Sequence, residues 1–271
     1  MKASSFAYAK PRSLAETFDL LERHGDGARI LAGGQSLIPS LNMRLSSPEI
    51  LIDITGLPLS DISRTDGSLR IGALVTHAAI EESEEIKRNV PMLAEAVPHI
   101  AHAAIRNRGT IGGSLALADP AAEYPACALA LNATIVATSR KGERKIKADD
   151  FFKGLYETDL RAGEVLTAVE IPVRKEGERS AFLELARRQG DYAIVGLAAF
   201  RGRETRFAFL NVGPTPILAK NASQKRTVGE AKDALKADLK PDADLYHSPQ
   251  AKLHLAGVLL ERAWNQLSTS R

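Results

Sequence analysis

Ala32-Gly33-Gly34-Gln35-Ser36-Leu37-Ile38-Pro39 is the segment on which the fold turns. It follows a short apolar run at 28–31, read as a buried strand ending at Leu31, and precedes a stretch of helical character over 37–45. A glycine pair between a strand and a helix lets the backbone approach a ligand closely, because glycine tolerates positive φ and has no β-carbon. Successive N–H groups can then point at one anion, with a hydroxyl such as Ser36 as a further donor. A second segment of this kind is Ile105-Arg106-Asn107-Arg108-Gly109-Thr110-Ile111-Gly112-Gly113-Ser114. Two such loops facing each other could hold a pyrophosphate without a lysine, since oriented amide dipoles offset much of its charge. A single glycine pair is most often only a turn. Neither GxGxxG nor GxxxxGK[ST] occurs, so a Rossmann or P-loop reading has no motif to rest on.

Working outward, Ser13 and Glu16 form a capping box for a helix over 13–24, closed by Gly25. Strands are expected at 49–54 and 69–75, and helices at 77–86, 91–97 and 121–131. Further strands follow at 134–138, 143–147 and 165–173, with a hairpin turn at Lys141-Gly142. A charged stretch at 174–179 marks a domain boundary. Beyond it, 182–187, 194–200 and 206–212 read as strands joined by short turns with no helix between them, which suits an antiparallel meander. A helix over 228–239 comes next. A longer one starts at Ser248 as N-cap with Pro249 in its first turn, and its apolar stripe fits packing on the preceding sheet.

The composition narrows the function. With 271 residues, 44% hydrophobic and 25% charged, this is an ordinary folded chain of one large or two smaller domains. A net charge of +3, with both signs interspersed, does not point to nucleic acid. No apolar run nears the ~20 residues a membrane span requires, and a cytoplasmic location is expected. The single cysteine, Cys127, excludes an internal disulfide and a self-contained iron–sulfur cluster. It sits in an apolar helical stretch and reads as an inert buried thiol. The histidines, including His99 and His102, show no metal-ligand spacing. Ser36 and Ser114 lie outside any GxSxG, so a hydrolase has no support.

The two glycine segments, together with Ala186-Arg187-Arg188-Gln189-Gly190-Asp191-Tyr192-Ala193, resemble the three signature segments of the FAD-binding subunits of molybdenum hydroxylases. The medium subunit of aerobic carbon monoxide dehydrogenase is the type case, and the FAD domain of xanthine dehydrogenase is related. The resemblance covers essentially the whole chain, including 253–263. It implies an α+β fold: a two-subdomain FAD-binding unit of the PCMH/vanillyl-alcohol-oxidase type over 1–175 (subdomains about 1–57 and 58–175), then a C-terminal antiparallel sheet with helices over 176–271.

The resemblance also implies site residues. Leu31, Ala32, Gly33, Gly34, Gln35 and Ser36, with Thr110, Ile111, Gly112, Gly113 and Ser114, match the loops that bind the FAD diphosphate, although Ser114 replaces the commoner Asn. Glu123 matches an acidic contact to the adenosine portion, or simply favours its helix N-terminus. Ile100 and Leu166 match apolar positions lining the flavin or adenine, and both also suit a core. Tyr192 matches an aromatic residue beside the isoalloxazine, or is an ordinary strand-start tyrosine. Arg187 and Arg188 are expected to hold their loop by ion pairs, or else are simply solvated.

No catalytic residue or resident metal is implied. Molybdopterin and iron–sulfur clusters are expected only in partners, a large and a small subunit respectively, in a dimer of heterotrimers. The 4-hydroxybenzoyl-CoA-reducing branch, which adds an iron–sulfur insertion here, is disfavoured by the single cysteine. An independent flavoenzyme of the same superfamily and a non-catalytic nucleotide-binding module are the rivals.

Overall fold

A computed structural model describes residues 2–269. The chain first builds a three-stranded parallel sheet in which Ile50–Asp53 lies between Ala7–Ala9 and Ala28–Leu31. All four residues of the central strand are buried, as expected for a parallel strand covered on both faces. The helix Leu14–His24 packs on this sheet through Phe18. Ser13 caps it by accepting from the Glu16 amide at 3.2 Å, while the Glu16 carboxylate accepts from the Arg12 amide at 2.7 Å. Gly25, with φ of 48°, ends it as anticipated.

A five-stranded antiparallel sheet follows. Its central strand, Val165–Pro172, pairs with Ser68–Gly72 on one side and Thr134–Ser139 on the other. Ile62–Thr65 and Gly142–Lys147 form the edges. The helices between residues 77 and 130 pack with this sheet in the largest apolar cluster.

The C-terminal sheet is the expected meander, Arg179–Leu185, Val195–Arg201, Thr205–Leu210 and the short Ile217–Leu218. Strand alternation splits its residues between two interiors. Leu197, Ala199, Phe207 and Phe209 face the helices Val228–Asp238 and Pro249–Ser268, whereas Phe182, Ala198, Ala208 and Leu210 join the interior of the five-stranded sheet and its helices. The helix Glu123–Ala130, with every residue buried, lies in this second interior against Val195–Arg201 and Thr205–Leu210.

Several local expectations need correction. The stretch 77–86 forms two helices, His77–Glu82 and Glu84–Asn89, because Ser83 ends the first and its hydroxyl accepts from the Ile86 amide to start the second. A serine inside a helical pattern readily competes for backbone groups in this way. The helix over 37–45 stops at Asn42, and Arg44 adopts φ of 59°. The helix over 121–131 starts at Glu123, since the Asp119 carboxylate accepts from the Ala121 amide and turns the chain first.

Candidate functional site

The first glycine loop leaves the strand Ala28–Leu31 and enters the helix Leu37–Asn42. Gly34 has φ of 73°, and the Gln35 side-chain amide donates to the Gly33 carbonyl at 2.9 Å. Among the described residues, the amide N–H groups of Gly33, Gly34, Gln35 and Ser36 donate to no other group of the chain. Four neighbouring donors without an acceptor are unusual for a structured loop, where backbone polar groups are ordinarily paired or solvated. They are available to an anion.

The second loop meets the first. A β-carbon on Gly33 would lie 2.1 Å from the Arg108 carbonyl oxygen, so the two backbones touch. In one respect this loop differs from the reading of the sequence. Its amides are already engaged: Ile111 donates to Val75 at 3.0 Å, Gly112 to Ala73 at 3.0 Å and Gly113 to the Thr110 hydroxyl at 3.1 Å. Gly112 is needed because a β-carbon there would strike the Ala73 backbone at 2.7 Å. The second loop thus offers the site the groups at 107, 108 and 110 instead of a row of free N–H donors.

Between the loops opens a cleft of about 760 Å³, a size typical of small-molecule sites. Of the expected residues, Leu31, Ala32, Gly33, Gly34, Gln35 and Thr110 line it. Ser36 precedes the adjoining helix, and its hydroxyl makes no cap bond. Ile111 and Gly112 are buried behind the wall, with Gly113 and Ser114 half-buried beside them. Leu166 is buried, paired across the sheet with Ala137. Ile100, Glu123, Leu166 and Tyr192 form no part of this cleft wall.

Ile100 and the Tyr192 segment meet elsewhere. Gly190, with φ of 82°, packs on Ala101, whose carbonyl oxygen would sit 2.4 Å from a β-carbon at 190. Arg106 holds the same turn, donating to the Ile100 and Ala101 carbonyls and pairing with Glu81 at 2.8 Å. Tyr192 stands 74% exposed, an aromatic face free to cover a ligand. Glu123 is buried at the start of its helix. Burial, followed by the nearby Asp119, pushes its carboxyl up to about 7. Glu184 is pushed up to about 8 by burial and by Glu123, and its Oε2 has no hydrogen-bond partner. Arg187 stacks over the Tyr246 ring at 4.8 Å, in place of the expected ion pair.

Lys10, Asp53, Thr55 and Thr76 also line the cleft and were not singled out from the sequence. Asp53 Oδ1 accepts from the Thr55 amide at 2.9 Å and the Thr55 hydroxyl at 2.6 Å. Its Oδ2 accepts from the Tyr8 hydroxyl and faces Lys10 Nζ at 3.6 Å. Burial alone would raise its pKa, yet these donors hold it below the usual carboxylate range. The Asp-x-Thr turn after an apolar strand was a readable signal. Cys127 is fully buried and burial pushes its thiol up, as an inert thiol should behave. Among the described residues no group of three His, Cys, Asp or Glu side chains could hold a metal.

A cleft with unspent amides on one wall and cationic side chains on both fits the phosphorylated part of a dinucleotide. Residues 4–174 match the family described as the FAD binding domain in molybdopterin dehydrogenase, and 180–267 match the CO dehydrogenase flavoprotein C-terminal domain. The chain is 39% identical to the 6-hydroxypseudooxynicotine dehydrogenase complex subunit alpha of Paenarthrobacter nicotinovorans, over 97% of this chain and 94% of that one. Its fold matches a chain of carbon monoxide dehydrogenase from Hydrogenophaga pseudoflava with a TM-score of 0.94 and 35% identity, covering 98% of both chains. Quinoline 2-oxidoreductase from Pseudomonas putida 86 matches with a TM-score of 0.91 and 38% identity, again over 98% of each. The two loops, the cleft between them and these likenesses make one case: the chain belongs to the family of FAD-binding medium subunits of molybdenum hydroxylases, a flavoprotein component of multi-subunit oxidoreductases.

Proposed function

We propose that this chain relays electrons from an iron–sulfur subunit, through FAD held in the cleft between the two glycine loops, to an external acceptor. The observation that carries this reading is the contact of Gly33 with Arg108, which sets the unspent amides of residues 33–36 across from the second loop. When bound, FAD supplies the capacity to accept electrons singly and deliver them in pairs. The chain's own residues bind and orient. The amides at 33–36 and the Thr110 segment hold the diphosphate, Glu123 serves the adenosine portion, and Tyr192 shields one face of the ring system. No general acid or base is required of the chain.

The relatives are named for substrates as different as carbon monoxide, caffeine and quinoline. That range over one fold supports a substrate chosen on a large molybdopterin-binding partner. The proposed assembly is a dimer of heterotrimers in the cytoplasm. Among the described residues no helix is long and apolar enough to cross a membrane.

The test is the visible absorption spectrum of the purified chain, followed by release and identification of the chromophore and by co-purification with its partner chains. A flavin spectrum yielding FAD, reduced by substrate only in the complete assembly, is the expected result. A colourless chain that FAD cannot reconstitute would sink the reading.

A further inference from the structure

The cleft contains a cation that the two-loop description leaves without a task. Lys10 directly follows the strand Ala7–Ala9, and Ala9 pairs in register with Ile52, so Lys10 lies beside Asp53 at the end of the neighbouring strand. Its side chain is held at two points. The ammonium faces Asp53 Oδ2 at 3.6 Å, and the stem crosses Gly56, where a β-carbon would lie 3.3 Å from Lys10 Cε. Half of the side chain is exposed, and the residue shares the cleft wall with Gly33 and Gly34.

Asp53 has a particular form here. Both its oxygens are occupied, Oδ1 by Thr55 and Oδ2 by Tyr8 and Lys10, so it aims the lysine without presenting a bare carboxylate to the cleft. An anion on the amides of residues 33–36 meets only partial charges there, whereas a diphosphate carries full ones. An ammonium at the cleft wall adds a charge-assisted contact, the stronger kind of hydrogen bond. Arg108 is the other cation on the wall, but it is exposed and its side chain makes no hydrogen bond or ion pair among the described residues, so nothing aims it. The held cation is Lys10.

We propose that Lys10 is a further cofactor-binding residue, its ammonium positioned by Asp53 as the counter-charge to the FAD diphosphate on the first glycine loop. This rests on the reading of the cleft as the FAD site. The full chain, stripped of flavin, is titrated with FAD at low and high salt as wild type, Lys10→Met, Lys10→Arg and Arg108→Met, and each flavin-free protein is melted.

Lys10→Met is expected to weaken FAD about ten-fold, with a shallower salt dependence, an unchanged melting temperature and recovery of most of the loss in Lys10→Arg. Lys10→Met binding FAD as tightly as wild type would overturn the assignment. So would a loss accompanied by a lower melting temperature and an unaltered salt dependence, or a loss confined to Arg108→Met. Failure of the wild type itself to bind FAD would instead remove the reading of the cleft, and the role of Lys10 with it.

Discussion

The Arg108 carbonyl oxygen occupies the space that a β-carbon on Gly33 would require, 2.1 Å away. Gly33→Ala must push the two loops apart, so FAD retention should be largely lost and the fold destabilised by about 1–3 kcal/mol, as for other overpacked sites. Gly112→Ala should behave similarly, since its β-carbon meets the Ala73 backbone. Gly113→Ala meets only the Thr110 hydroxyl at 2.9 Å and should cost about 1 kcal/mol, the value of a disturbed cap. Gly229, in the helix Val228–Asp238 with nothing within 4 Å, provides the control, and Gly229→Ala should be neutral or stabilising by up to ~1 kcal/mol. Thermal melts and flavin content read out the order.

Glu123 and Glu184 make stability depend on pH. Their folded pKa values, about 7 and about 8, lie above the ordinary 4.5, so the folded state keeps protons that the unfolded chain has released. Stability therefore falls as pH rises from 4.5 through 8 and then levels off. His77 opposes this at the acid end: burial, and then Arg106, lowers it to about 4, so stability rises with pH between 4 and 6.5. The clear window for the carboxylates is pH 6.5 to 8. Stability should decline there, seen as a falling melting temperature, with a slope below the ~2.7 kcal/mol per pH unit of two fully linked protons, and Glu184→Gln should flatten the decline. A wild-type profile flat over that window would refute this.

Tyr124 is fully buried and its hydroxyl has no hydrogen-bond partner. His77, whose ring centroid lies 5.3 Å from that of Tyr124, has an equally unpartnered Nδ1. Removing an unsatisfied buried group relieves its desolvation penalty. Tyr124→Phe should therefore raise stability by about 1 kcal/mol in a denaturant titration. A loss of stability would show that the hydroxyl has a partner.

Lys252 is buried, with its ammonium 3.0 Å from Asp244 and 3.5 Å from the Asn211 carbonyl. The same aspartate accepts from the amides of Tyr246 and His247, each at 2.8 Å, which keeps Tyr246 against Arg187. Asp244→Ala strands a buried cation and should cost about 1–3 kcal/mol. Lys252→Met removes the charge itself and should cost less, and the double variant should lose less than the sum of the two single losses. A double variant whose loss equals the sum of the two single losses would contradict the pairing.

What could be read before the structure was whatever one segment encodes by itself. The Ser248-Pro249 helix start, the Gly25 stop and the three-strand meander depend on local chemistry, and the glycine loops announce themselves because only glycine fits there. The strand Ala7–Ala9 went unread because its residues are mostly exposed and it exists only by pairing with Ile50–Ile52. Ile62–Thr65 is a similar edge, dependent on Ser68–Ile71. Lys10 and Asp53 escaped notice for the same reason, being brought together by strand register. The engaged amides of Ile111 and Gly112 were hidden too, since their acceptors, Val75 and Ala73, lie far back in the chain.

The helix Glu123–Ala130 belongs to the first family region by sequence, yet it packs against strands of the second. Phe182, Ala198, Ala208 and Leu210 complete an interior begun by Tyr124 and Cys127. One interior therefore crosses residue 175, where the two family regions meet. A chimera that exchanges everything beyond it inherits half of a jigsaw cut for another helix. To recombine cleanly, such a graft has to carry 123–130 with it, and with that helix the acid that sits beside Asp119.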